Sequence, residues 1–380
     1  MLAIRLSRIA VCVTLLIAVC VPLCTHGAES PVQAKPPIRV AIVGLVHGHV
    51  GGFLRALPGN ANAHLVAIVE PDTKLAKRYA EQYHLDGKLF YTSLETMLDK
   101  EHPDAVLVYT TIADHRKVIE EAARHGVNSM VEKPLATTLA DAIAIRTTAQ
   151  THHIQVLTNY ETTWYPSNQE AYDEVQQGQL GVLRRVVVHD GHEGPKEIGV
   201  GPEWLPWLTD PVKNGAGALF DFGCYGADLM TMLMHGQTPI SVTAVAQTDK
   251  PDVYPKVDDE ATIILRYSGT QAVLMPSWNW PFSRKDMEVY GATGYVITVG
   301  ANDLRVRYKG DKVELAKGAP ALPPERAGSL DYLAAVLRGE VKPDGDLSAL
   351  DTNIVVMRIL EAARDSVKTG KTIVLTQQPQ

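Results

Sequence analysis

The sequence predicts an α/β protein in two parts: a doubly wound domain with a parallel sheet, then an α+β domain with a large, mostly antiparallel sheet. Three observations carry this. Short β-branched runs alternate with amphipathic helical stretches over residues 38–159, the pattern of βαβ units covered on both faces. Beyond residue 159, strands follow one another with short turns, which gives antiparallel pairing. The chain has 380 residues, 46% hydrophobic and 21% charged. That exceeds one ordinary core and supplies apolar surface for two.

The first 28 residues read separately. Arg5 and Arg8 precede an almost unbroken apolar run over 9–23, and Thr25, Gly27 and Ala28 close it. This is the layout of a signal peptide cleaved near Gly27 or Ala28, so a periplasmic or secreted location is expected; an uncleaved membrane anchor is the alternative. Residues 29–37, rich in Pro and polar groups, read as a flexible leader. Without residues 1–28 the balance is 34 basic against 43 acidic residues, a net charge of −9. That charge, with no Lys/Arg run, argues against a nucleic-acid partner. Cys224 is then the one cysteine left, so no internal disulfide is expected.

The elements follow in order. Strands are expected at 38–43, 65–70, 105–110, 128–131 and 154–157, with helices at 50–57, 74–83, 114–125 and 139–150. Residues 38–159 form the NAD(P)-binding domain in this reading and 160–375 the substrate domain. The second part opens with a helix at 169–176 and a strand at 183–189. A Trp/Pro/Gly loop over 201–217 leads into a helix over 218–234. Strands follow at 240–247, 261–267, 271–278 and 287–290, with hairpin-like runs over 294–315. A long amphipathic helix over 348–367 and a strand at 372–375 end the domain.

The first strand ends on Gly44 and runs into Leu45-Val46-His47-Gly48-His49, where a dinucleotide fold places its glycine-rich turn. Val46 and His49 stand where that turn usually has its second and third glycines. Glu70 ends the second strand, 26 residues after Gly44. An acid there accepts from both adenosine ribose hydroxyls and repels a 2′-phosphate, which favours NAD over NADP. A lysine at a strand end follows in Glu132-Lys133-Pro134, its backbone restricted by the proline. Asp221, Tyr225 and Asp228 recur at i, i+4 and i+7, one face of a continuous helix. Trp204, Trp207, Trp278 and Trp280 offer aromatic faces of the kind that hold sugar rings, Trp278 and Trp280 being the better pair. His189, Asp190, His192 and Glu193 have a metal-like composition, but a polar turn is the simpler reading and no metal is expected.

Together these motifs resemble the glucose-fructose oxidoreductase / inositol dehydrogenase / rhizopine catabolism (Gfo/Idh/MocA) family. The resemblance rests on Glu132-Lys133-Pro134; on Thr110, Thr111 and His115 ahead of it; on Gly215, Gly217, Asp221, Gly223, Tyr225 and Asp228; and on Ser366, Thr369 and Gly370. It spans residues 38–375. It implies a Rossmann domain and hydride chemistry on a sugar, glycoside or polyol. Lys133 would orient the substrate oxygen and Tyr225, where many relatives have His, would carry the proton; Asp221 would orient Tyr225 or, like Asp228, bind a substrate hydroxyl. Gly44, Val46, His47, Gly48, His49, Glu70, Thr110, Thr111, His115, Glu132 and Lys133 would line the cofactor site. Lys133, Asp221, Tyr225, Asp228, Trp278 and Trp280 would line the substrate site. A homo-oligomer built through the open face of the C-terminal sheet is also implied. Two other readings stand beside the dehydrogenase: a glycoside hydrolase or lyase that keeps NAD bound and oxidises C3 transiently, and a non-catalytic sugar-binding or sensing protein.

Overall fold

The computed structural model describes residues 35–376; the expected signal peptide and nearly all of the leader lie outside them. The first sheet has six strands: β1 (Ile38–Val43), β2 (Ala63–Val69), β3 (Phe90–Tyr91), β4 (Ala105–Val108), β5 (Asn128–Glu132) and β6 (Val156–Asn159). They lie in the order β3-β2-β1-β4-β5-β6, and every pairing is parallel. Helices α1 (Val50–Ala56), α2 (Thr73–Gln82), α3 (Leu94–Glu101), α4 (His115–Arg124) and α5 (Leu139–His152) connect the strands. The side chains of Asp72, Ser93 and Thr138 cap the first turns of α2, α3 and α5, satisfying donors that a helix start leaves free. Alternate residues of β1 enter opposite cores, Ala41 and Val43 one and Val40 and Ile42 the other. Burial on both faces explains why the strand reads as an unbroken apolar run. The strand order reverses between β1 and β4, and the crevice beyond their carboxyl ends is where such sheets bind ligands.

The second part opens with α6 (Pro166–Gln176) and β7 (Leu183–Gly191). Short helices α7 (Leu205–Leu208) and α8 (Pro211–Asn214) lead to α9 (Ala218–Asp221) and α10 (Gly223–Leu233). The helix expected over 218–234 is therefore broken at Phe222, so Asp221 and Tyr225 do not share one continuous helix. Strands β8 (Ser241–Gln247), β9 (Glu260–Arg266), β10 (Gln271–Ser277), β11 (Arg284–Gly291), β12 (Gly294–Thr298), β13 (Asp303–Tyr308) and β14 (Leu315–Gly318) follow. Then come α11 (Ser329–Leu337), α12 (Leu350–Thr369) and β15 (Ile373–Val374). The sheet order is β14-β13-β12-β11-β7-β10-β9-β8-β15. Only the β7–β10 pairing is parallel.

Helices α10 and α12 pack together against one face of this sheet, and α12 also meets α5. One apolar core accordingly runs through both parts of the chain, joining Val131 and Ile145 to Leu229, Ile359, Leu274 and Val289. The unanticipated helix α11 returns to the first sheet, where Leu330 and Leu333 join Val40 and Ile42. Among the described residues, no helix is long and apolar enough to cross a membrane.

Candidate active site

Gly44 follows β1 with φ of 84°, a region that favours glycine. A Cβ there would lie 2.8 Å from the Thr110 side chain and 2.9 Å from the Tyr109 carbonyl oxygen. The turn thus passes flush against the end of β4. Beneath it, the Glu70 carboxylate accepts from the backbone N–H of Leu45 and of Asp72, both at 2.9 Å. Burial raises the pKa of Glu70. A cleft of about 610 Å³ opens at these strand ends, lined by Gly44, Val46, Glu70, Thr92, Thr110 and Thr111. The absent Cβ and the spare lone pairs of Glu70 suit a ribose and its phosphates lying along the turn.

The other residues of the turn have separate partners. The ring of His47 is buried 4.8 Å from that of Trp204 and 5.4 Å from that of Trp207. Burial, then His49 and Lys133, hold its pKa well below the ordinary value. Trp207 donates its indole N–H to the Val46 carbonyl at 3.2 Å. A Cβ on Gly48 would lie 2.1 Å from the Trp204 ring, so Trp204 occupies the space that any other residue would need. Glu203, next to Trp204, accepts from Tyr79 at 3.1 Å and pairs with Arg78 at 2.6 Å on α2. Residues 201–214 therefore strap across the glycine turn. Trp204 and Trp207, the weaker of the two candidate pairs for a sugar face, take this packing role.

His49 lies 3.0 Å from the Glu132 carboxylate through Nδ1, and Asn159 donates to the same carboxylate at 2.9 Å. Burial pushes the Glu132 pKa up, but His49 and the hydrogen bonds outweigh it and hold it low. Possible ligand atoms of His47, His49 and Glu132 all lie within 4.8 Å of one another; the His49–Glu132 bond accounts for the grouping. His115 is completely buried and bonds the Leu135 carbonyl at 3.2 Å. Burial lowers its pKa to about 4. It braces the Lys133–Ala136 turn and does not line the cofactor cleft, a correction to its expected contact with cofactor.

Lys133 is 5% exposed. Its ammonium bonds the Asp221 carbonyl at 2.9 Å and the Asp221 carboxylate at 2.5 Å. It lies 5.1 Å from the centre of the Tyr225 ring. Burial opposes the ammonium, but Asp221 overrides it and raises its pKa; the same pairing overrides burial at Asp221 and lowers that group. The second Asp221 oxygen accepts from the Trp278 indole at 2.9 Å. Burial, then Glu161 and other nearby acids, push the Tyr225 phenol well above the ordinary range. Lys133, Asp221 and Tyr225 thus meet at the carboxyl end of β5, one residue from the Glu132 that holds His49.

Two further expectations need correction. Trp278 is fully buried and presents no face to a sugar; it fixes Asp221 instead. Asp228 is also fully buried, and neither carboxylate oxygen has a partner among the described residues. Burial alone lifts its pKa well above the usual range. It is a fully buried interior acid and not a substrate ligand. Trp280 keeps a partly exposed ring beside Gly191 and His189. His189 and Asp190, adjacent on β7, face opposite sides of the sheet; His189 pairs with Asp286 at 2.9 Å. The His189–Glu193 run does not gather around one point.

Sequence reading missed Lys285 and Glu161, which form an ion pair beside Tyr225. Their separation of 124 residues left no local signal.

Residues 38–160 match the model of an oxidoreductase family with an NAD-binding Rossmann fold, and residues 168–297 match the GFO/IDH/MocA C-terminal domain. The chain belongs to the GFO/IDH/MocA oxidoreductase family. Its first domain is therefore an NAD-binding Rossmann domain. A curated relative, trans-1,2-dihydrobenzene-1,2-diol dehydrogenase of Xenopus tropicalis, is 27% identical over 59% of this chain; the match spans 63% of that protein, just under two thirds. The 1,5-anhydro-D-fructose reductase of Ensifer adhaerens is 23% identical over 78% of this chain and 85% of its own length. Among solved structures, aldose-aldose oxidoreductase from Caulobacter crescentus, complexed with glycerol, superposes with a TM-score of 0.75. It is 25% identical over 89% of this chain and all of its own. An inositol dehydrogenase homologue from Azotobacter vinelandii, complexed with NAD+, gives a TM-score of 0.77 at 20% identity, over 90% and 98% of the two chains.

Proposed function

We propose that this GFO/IDH/MocA chain is an exported, NAD-dependent oxidoreductase acting on a hydroxyl of a sugar, glycoside or polyol. The observation that carries the reading is the convergence of Lys133 and Tyr225 at 5.1 Å beside the NAD-binding crevice. Bound NAD supplies the hydride acceptor. Lys133, locked by Asp221, donates a hydrogen bond to the substrate oxygen and stabilises its developing negative charge. Tyr225 exchanges the hydroxyl proton. Glu70 holds the adenosine ribose. Trp280, with its accessible ring, contacts the sugar. Relatives named for a dihydrodiol, an anhydrosugar and an aldose support a polyhydroxylated substrate.

A second reading is a hydrolase or lyase that keeps its NAD and restores it in each cycle. The strap favours it: Trp204 and Trp207 cover the glycine turn and Glu203 ties the strap to α2, which slows cofactor exchange.

The test is mass spectrometry of ligands released from the purified protein, followed by a sugar panel. Reduced nicotinamide accumulating with free NAD and a sugar establishes the dehydrogenase. Retained NAD that turns over without addition establishes the second reading. A folded protein with an empty nucleotide cleft and no turnover sinks both. Lys133→Ala is expected to lower kcat by about 10²–10⁴-fold, the usual range for a positioned proton-handling group; an unchanged kcat removes Lys133 from the mechanism.

A further inference from the structure

A second lysine lies over the same ring. Lys285 is the second residue of β11, and its ammonium is 4.8 Å from the centre of the Tyr225 ring, against 5.1 Å for Lys133. The two ammonium groups also lie 5.9 Å and 5.7 Å from the Phe222 ring. Lys285 is tethered by an ion pair to Glu161, whose side chain is 52% exposed. Register places Lys285 opposite Asp190 of β7. Asp190 is buried with one carboxylate oxygen unpartnered; burial drives its pKa well up, and the Lys285 charge opposes that shift.

The groups around Tyr225 come from every neighbouring element. Lys133 and Glu132 end β5, Asp221 ends α9, and Cys224 precedes Tyr225 on α10. Tyr160 and Glu161 follow β6, Asp190 lies on β7 and Lys285 on β11. Among them only the two lysines are cations. Lys133 is already bound to Asp221, its charge offset at 2.5 Å. The Lys285 partner reaches it from the solvent side, where screening weakens an ion pair.

We infer that Lys285, restrained by Glu161, is a positioning residue that stabilises the Tyr225 phenolate during proton exchange with substrate. The substrate O–H bond breaks and the tyrosine O–H bond forms; Lys285 gains and loses nothing. A cation beside the ring favours the ionised phenol, and the Glu161 carboxylate opposes it. Removing Lys285 therefore raises the pH at which the phenolate forms, and removing the Glu161 charge lowers it.

The inference rests on the proton role of Tyr225, so the experiment separates the two. Wild type, Lys285→Met, Lys285→Arg, Glu161→Gln and Tyr225→Phe are compared in the oxidation direction across pH, using an active sugar from the panel. Lys285→Met is expected to move the acid limb of kcat/KM up by about one unit, roughly a tenfold loss at a fixed pH below the limb. Lys285→Arg restores the limb, and Glu161→Gln moves it down. Fluorotyrosine placed at position 225, with its lower intrinsic pKa, reports the same ionisation by ¹⁹F resonance without any substrate. A limb and a fluorine titration that stay put in Lys285→Met overturn the inference, whatever happens to kcat. Full turnover in Tyr225→Phe overturns the proton role instead, while the fluorine titration still judges Lys285.

Discussion

Asp221 receives four polar contacts at once: its backbone oxygen takes Lys133 and the Cys224 thiol, one carboxylate oxygen takes Lys133, and the other takes the Trp278 indole. Breaking a buried pair from one side leaves a charge stranded. Lys133→Ala should therefore lose stability as well as turnover, by about 3–5 kcal/mol, visible as a lower Tm. The folded pKa of Asp221 is depressed, so its contribution to stability is full above the unfolded aspartate pKa and is lost as pH falls through the folded value. Asp228 has the opposite sign. Its folded pKa is raised, so folding is favoured below the unfolded value near about 3.9 and penalised above it. Asp228→Asn removes the pH-dependent part of that penalty and should raise Tm at neutral pH. The gain should vanish in acid, and a Tm difference that persists at low pH would contradict the assignment.

The strap over residues 201–214 covers the glycine turn, and it is expected to slow cofactor exchange. Glu203→Ala cuts its link to Arg78 and Tyr79, and Trp204→Ala uncovers Gly48. Both variants should release bound NAD faster during dialysis, several-fold for Glu203→Ala and more for Trp204→Ala; equal retention would mean the strap does not hold the nucleotide. The turn that it covers was legible in sequence because Gly44 and Glu70 are tied to local geometry, a strand end and a fixed offset. The strand alternation likewise exposed both sheets, since burial on two faces or one leaves distinct periods. The strap was not legible: its tryptophans meet residues more than 150 positions away, and composition alone does not say what they pack against. The helix break at Phe222 escaped for a different reason. The stretch is buried on every side, so no exposed face marks the interruption, and the Asp221, Tyr225 and Asp228 spacing runs across it as if the helix were continuous. Helix α11 was overlooked because its apolar face belongs to the first domain's core.

At the scale of the whole molecule, the outer face of the second sheet is left open by the described residues. Val245 is 66% exposed and Ile264 44% exposed. Both share that face with Thr243, Thr262 and Val273 through the β8–β9–β10 register. An exposed apolar strip on a sheet face marks an association surface, and we propose that copies of this chain pair there. Val245→Glu with Ile264→Glu should convert the oligomer to a monomer in light scattering behind size exclusion; a wild type that already runs as a monomer would refute the pairing. The return of α11 to the first sheet has a consequence for dissection of the gene. A cut after residue 159 leaves one fragment with bare Val40 and Ile42 and the other with bare Leu330 and Leu333. Neither piece is a self-sufficient module, and a soluble enzyme should reappear only when both are made together in one cell.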